Sequence, residues 1–434
     1  MKLEQLMTLR FFMVLYALFA LNRFKTTDII QIDGKNTELL VYILFGFFFF
    51  KVVYNLLNKE KKVRLTKYES NIAILLFLQL LIAFFGLFNS LQTEQGFYAI
   101  AEYFLPTLLV LDYKYHVKSE FTLFVKTMCC IGMIYAVITI VAVSNYSTIL
   151  TFLSVNADKF TNNNQVRASF MLGSSISISY FLNLVLPLIY YAFFEHIYSS
   201  KFMKFLCLAT IILISLSIII LQSRLAFVCL LITTIAFLAF YKKNVFSRIK
   251  LGIFLIGVLS LAGFLYFKEL DFNVLQRVMD VESVTSNKVR FSSAYYGVKS
   301  MGANILFGAG MGQTFPRIYE FRELNLSGGQ YSLVDPHNTY IMCLNEQGIV
   351  GLVFLCFLFY NIYNQVSHIC DRYIRFLAKI TLIVYLLGAL GGSQIFNEIS
   401  FSIVFWWILG HYMSLARQPK GGISKDESNG NYLS

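Results

Sequence analysis

Residues 335–362 read DPHNTYIMCLNEQGIVGLVFLCFLFYNI. A polar tetrad, Asp335-Pro336-His337-Asn338, leads into an apolar run from Thr339 to Tyr360, interrupted chiefly by Asn345, Glu346 and Gln347. A helix needs roughly 20 apolar residues to cross a bilayer core, and this run supplies them. His337 therefore stands where a polar loop meets a membrane helix. Asp335 suits an N-cap and Pro336 the first helical position. On that reading His337 lies in the first turn, where the helix dipole disfavours imidazolium and keeps the ring a neutral base. The same helix end attracts anions such as phosphate. On a continuous helix, Gly348 and Gly351 project within about 40° of His337, and Glu346 projects about 180° away. Gly348-Ile349-Val350-Gly351 then predicts a close-packing notch between helices. Glu346 is expected to pair elsewhere in the bundle.

The rest of the chain agrees with a membrane setting. It is 57% apolar and 17% aromatic, with 14% charged residues. Soluble domains carry about 25% charged residues. The pattern predicts an all-α polytopic bundle with twelve spans, near 6–21, 39–57, 71–89, 97–111, 121–144, 169–194, 205–221, 225–241, 251–267, 338–362, 376–391 and 399–416. The formal charge of +12 is not a nucleic-acid signature, because basic residues crowd the loops on one side, as in Lys59–Lys67 and Lys242–Lys250. That asymmetry places both termini in the cytoplasm. The first apolar run follows Lys2 and Arg10 without a small-x-small cleavage site after it, so it reads as an uncleaved span. Six of the seven cysteines fall in apolar runs and Cys370 falls in a loop on the cytoplasmic side, so no disulfide framework is expected. Their spacing gives no metal pattern.

Residues 1–416 read as one membrane domain, and 417–434 as a disordered cytoplasmic tail. Two connections on the outer side are long, 145–168 and 268–337. Long structured loops are usually functional. The second loop balances its basic residues (Lys268, Arg277, Lys288, Arg290, Lys299, Arg317, Arg322) with as many acidic ones, which suits a folded subdomain. Val289 to Ser300 reads as an amphipathic helix with Phe291, Tyr295 and Val298 on one face. Gly302, Gly308, Gly310 and Gly312 permit tight turns and close backbone approach. The segment lacks the strand, helix and Lys-Ser/Thr of a nucleotide loop.

Arg224 interrupts an apolar stretch from Phe205 to Tyr241, within Gln222-Ser223-Arg224. Arginine near membrane depth is costly and is a functional candidate by default. Its planar fork matches phosphate oxygens. Arg290 opens the loop helix, and Arg167 opens the sixth span on the same side. Bland readings stand beside these: an interfacial arginine also serves as a snorkelling anchor, and an interfacial histidine as a structural contact.

His337-Asn338-x9-Gly348-x-x-Gly351-Leu352 resembles the signature of the O-antigen ligase and O-antigen/capsule polymerase superfamily. Gln222-Ser223-Arg224 is similar to its Ser-Arg element. Arg290 followed by Gly308-Ala309-Gly310-Met311-Gly312 is similar to its loop pattern, and Arg167-Ala168-Ser169-Phe170 to a looser element. Together these cover residues 165–365. Met171-Leu172-Gly173-Ser174 departs from the family, lacking the Asn-x-Asn often found there. The resemblance implies an enzyme of the bacterial cytoplasmic membrane that needs no metal and no cofactor. It would move glycan, with inversion, from an undecaprenyl-pyrophosphate carrier to a glycan or lipid-linked acceptor on the outer face. Carried over, His337 is general base, Arg224 and Arg290 bind the pyrophosphate, and Arg167, Asn338 and Arg277 are substrate-binding. Asp335, Pro336, Gly348, Gly351 and Glu346 are structural. The lipid bilayer and a chain-length regulator are the candidate partners. Polymerase and ligase share these motifs and differ in acceptor; polymerisation of O-antigen or capsular repeat units is the first reading, and transfer of finished glycan to lipid A-core or another acceptor is the alternative. A flippase or other transporter is the reading from another class; it predicts charges within the spans and no need for the long loop.

Overall fold

The computed structural model describes residues 67–90, 118–144, 161–162, 165–166, 175–195, 197–221, 223–240, 293–301, 304–314, 317–318, 336, 338–392 and 399–416, with isolated residues between 93 and 104. Eight long helices are present among them: α1 (Lys67–Gly86), α2 (Lys118–Ser144), α3 (Ser175–Phe194), α4 (Lys201–Ile220), α5 (Arg224–Phe240), α6 (Thr339–Ser367), α7 (Arg372–Gly388) and α8 (Ile399–Leu415). A 3-10 turn, Leu87–Asn89, extends α1. The helical class agrees with the sequence reading, apart from a two-residue antiparallel pair in which Thr161 faces Val166 and Asn162 faces Gln165. Lys67–Asn89, Phe121–Val141, Lys201–Ile220 and Thr339–Ser367 are long and apolar enough to cross a membrane. The expected spans 6–21, 39–57 and 251–267 lie outside the described residues, as does most of 97–111. Helix α3 is described from Ser175 onward. Arg167 itself lies outside the described residues.

Helix α3 is buried all round, from Ile178 to Tyr190. A helix apolar on every face belongs in the middle of a bundle. It packs against α2, α4, α5, α7 and α8. Helix α1 packs mainly on α6, and polar pairs set their antiparallel register. Gln365 donates to Glu69 (3.2 Å) and Asn71 to Asn361 (3.1 Å). Tyr68 meets His368 with ring centroids 5.2 Å apart. At the other end, Gly86 of α1 approaches Gly310 of the loop. This is the loop end of the bundle.

Helix α6 is two helices. Gly348 has φ 70° and ψ −169°, a region that essentially only glycine occupies. Residues 349–367 rise about 28 Å at 1.5 Å each, close to the length of α1. This lower piece alone therefore runs beside α1 from end to end. The upper piece, Thr339 to Gln347, starts against α7, where Thr339 N donates to Ala389 O (2.9 Å). It ends near Gly86, reached through Gly310. It therefore crosses the loop end of the bundle, from α7 to α1.

Candidate functional site

The upper piece of α6 is capped by Asn338, whose Oδ1 accepts from Tyr340 N (2.9 Å) and Ile341 N (3.1 Å). The expected cap at Asp335 and helical position at Pro336 are therefore corrected. Pro336 is buried and precedes the helix, and the chain position of His337 precedes it too. Asn338 and Asp335 are both good caps; docking on α7 selects Asn338. Asn338 Nδ2 donates to Leu390 O (3.2 Å), Thr339 Oγ1 to Gly392 O (2.8 Å) and Tyr340 OH to Leu386 O (3.0 Å).

The turn after α7 also touches the start of α5. A Cβ on Gly391 would lie 2.6 Å from Leu225 Cδ2 and 2.9 Å from the Tyr180 hydroxyl. Leu225 follows Arg224, the first residue of α5. Consecutive residues Leu390 and Gly391 thus contact the residue after His337 and the residue after Arg224. Sequence reasoning passed over this turn. The Gly391-Gly392 pair that ends the eleventh span was its only signal, as glycine permits close backbone approach.

The glycine-rich segment sits in the break of α6. Ala309 N donates to Asn345 O (2.8 Å) and Gly310 N to Glu346 O (3.0 Å). In return, Ile349 N donates to Ile305 O (3.0 Å) and Val350 N to Leu306 O (3.1 Å). The backbone groups freed by the break are thereby satisfied, as burial requires. Gly308, Gly310 and Gly312 all have positive φ. A Cβ on Gly308 would strike the Glu346 carbonyl, and one on Gly348 the Leu306 carbonyl. Gly348 is therefore not a notch for a neighbouring helix, and the angular argument from His337 to Gly348 and Gly351 fails at the break. Gly351 remains buried in the lower piece.

Glu346 pairs with the loop rather than the bundle. Thr314 Oγ1 donates to its Oε1 (2.9 Å), and the backbone N–H groups of Gly312 and Thr314 face the carboxylate. Gln347 Nε2 reaches Met311 Sδ (3.2 Å). Among the described residues the loop helix spans 293–299, with Tyr295 and Val298 on one face as expected. Tyr295 and Val298 are exposed, while Ser293 and Gly297 are buried. Gly297 lies over Ile341, Ile318 and Asn345. Arg317 Nη2 donates to Asn89 O (2.9 Å), tying the loop to the end of α1.

Of the candidate residues, Arg224 is described as the first residue of α5, and Asn338, Glu346, Gly348 and Gly351 lie on α6. Arg167, Arg277, Arg290, Asp335 and His337 lie outside the described residues. The described parts form an apron: two helix starts share one turn, and the loop covers the short helix between them and α1. The first three N–H groups of α6 are already paired with Ala389 O and Asn338 Oδ1, so what the two helix starts offer an anion is their partial positive charge.

Residues 209–356 match the family model described as O-antigen ligase. The match takes in Arg224, Arg277, Arg290 and His337 and leaves out Arg167. No curated protein matches the chain.

Proposed function

We propose, from the match of residues 209–356 to the O-antigen ligase family model, that the chain transfers glycan from an undecaprenyl-pyrophosphate carrier on the outer face of the cytoplasmic membrane. It polymerises O-antigen or capsular repeat units. The acceptor sugar hydroxyl gives its proton to His337 as general base. Its oxygen bonds to the anomeric carbon, whose bond to the phosphate oxygen breaks from the opposite face. The electron pair leaves with the polyprenyl pyrophosphate. Arg224 and Arg290 neutralise the charge that develops there. Arg277 and Arg167 contact donor or acceptor further out, and Asn338 positions His337 by capping the helix after it.

The observation that carries this reading is the turn at Leu390-Gly391, which touches Asn338 and Leu225 at once. Asn338 and Leu225 directly follow His337 and Arg224 in the chain, which supports the nearness of the proposed base and the proposed pyrophosphate ligand. Concerted proton transfer and leaving-group stabilisation need such proximity.

The test is His337→Ala and Arg224→Ala in the native host, read as glycan length profiles. Removing a general base costs typically 10²–10⁴ in rate, so long chains should vanish while single-repeat glycan persists. Normal profiles in both variants at normal protein level would refute the mechanism. The description of the matched family favours a second reading, transfer of finished glycan to an acceptor such as lipid A-core. Loss of activity would then leave long polymer on the carrier.

A further inference from the structure

We infer that Ile305-Leu306-Phe307, in the middle of a polar connection, is a membrane anchor inserted at the headgroup–acyl boundary of the leaflet on the loop's side. The three residues are consecutive, and 45%, 56% and 59% of their surface is exposed. They are nevertheless fixed. Ile305 and Leu306 carbonyls accept from Ile349 and Val350, and Gly308 N donates to Asn304 O (2.7 Å). A run of large apolar side chains held rigidly outward demands a cover.

Continuity with the lipid-facing surface identifies that cover. On α6 below the break, Ile349, Val353 and Phe357 are exposed at a spacing of four. That places them on one helical face, in a stretch long and apolar enough to cross a membrane. The face begins at Ile349, the residue bonded to Ile305. On α1, exposed Phe77, Leu81, Phe84 and Phe88 form a second stripe, and its upper end flanks Gly86, on which Gly310 rests. The segment 305–307 therefore continues the lipid-facing surface upward at the level where α1 ends. Tyr295 and Val298 of the loop helix are exposed as well, and tyrosine favours the interfacial layer. The loop is thus pinned to the bilayer on one side and to the break of α6 on the other.

The test uses the full chain in phosphatidylcholine vesicles and a Phe307→Trp variant. The native tryptophans, Trp406 and Trp407, are both buried, so wild-type emission is the background. The added emission should be lost in lipid brominated at the headgroup end of the acyl chain, less so with bromine near the chain terminus. Aqueous acrylamide should leave it unquenched. Leu306→Trp reads the neighbouring position should the first variant fail to fold. Acrylamide quenching without lipid quenching would overturn the inference in favour of a water-exposed loop. Shielding from both would overturn it in favour of a protein partner, and stronger loss with the deep label would overturn the interfacial depth.

Discussion

Asn338 uses one side-chain amide for two elements. Its oxygen caps α6, and its nitrogen holds the turn after α7. Substituting an N-cap by alanine costs typically ~1 kcal/mol, and here the Leu390 carbonyl also loses its donor. Asn338→Asp keeps the capping oxygen and loses only the second bond. Thermal unfolding in detergent should therefore rank wild type above Asn338→Asp, and Asn338→Asp above Asn338→Ala. Equal loss in both variants would mean that the bond to α7, not the cap, holds this end. Glu346 shows the same economy: its backbone carbonyl receives Gly310 N, and its carboxylate receives Thr314. A carboxylate placed in a bundle with no donor would be strongly unfavourable, and the loop supplies the donor.

At the scale of elements, the break in α6 and the glycine-rich segment make one unit. Four backbone hydrogen bonds cross between them, and each side would be left with buried unpaired groups without the other. The sequence carried half of this. The glycines at 308 and 310 read correctly as close-approach positions, but Gly348 read as a packing notch, because a local pattern cannot show that a distant segment replaces the helical bonds. The shared face of Tyr295 and Val298 was legible from their spacing, but not that it is the exposed one. Tyr295 and Val298 have the apolar spacing, yet Gly297 fits the narrow space over Ile341. Gly348→Ala tests the unit. The backbone region costs a non-glycine residue of order 1–3 kcal/mol, and the new Cβ meets the Leu306 carbonyl. Asparagine tolerates the left-handed helical region but not this one, so Gly348→Asn should fail as well. Limited proteolysis should cut near 302–314 faster in both variants than in wild type. Unchanged resistance would show that the loop is held by other contacts.

For the whole molecule, the membrane class and the spans near 71–89, 121–144, 205–221 and 338–362 were legible, because apolar length is a local property. Helix ends and the candidate site were less so. The start of α6 moved to Thr339, since a cap is chosen by what it docks against. The meeting of α5, α6 and α7 at residues 389–392 depends on three separated segments, and no window of sequence contains it. Gly391 is where that meeting can be probed. A methyl group there would crowd Leu225 and the Tyr180 hydroxyl, with Leu225 Cδ2 only 2.6 Å away. Gly391 has no positive φ to forfeit, so Gly391→Ala adds bulk without backbone strain. The nearest atom is the end of a side chain that can turn aside, so the stability loss should stay within the roughly 1–3 kcal/mol typical of overpacking. Moving the start of α5 against that of α6 is a different matter for chemistry, because a displacement of 1 Å in a reacting constellation can cost about 10²-fold in rate. Gly391→Ala should therefore keep near-normal protein levels in membranes while shortening or abolishing long glycan chains. Leu225→Ala in the same chain should restore part of the length by vacating the space. Full chain length in Gly391→Ala alone would show that the shared turn does not set the reacting geometry. Loss of glycan without rescue by Leu225→Ala would move the effect to Tyr180.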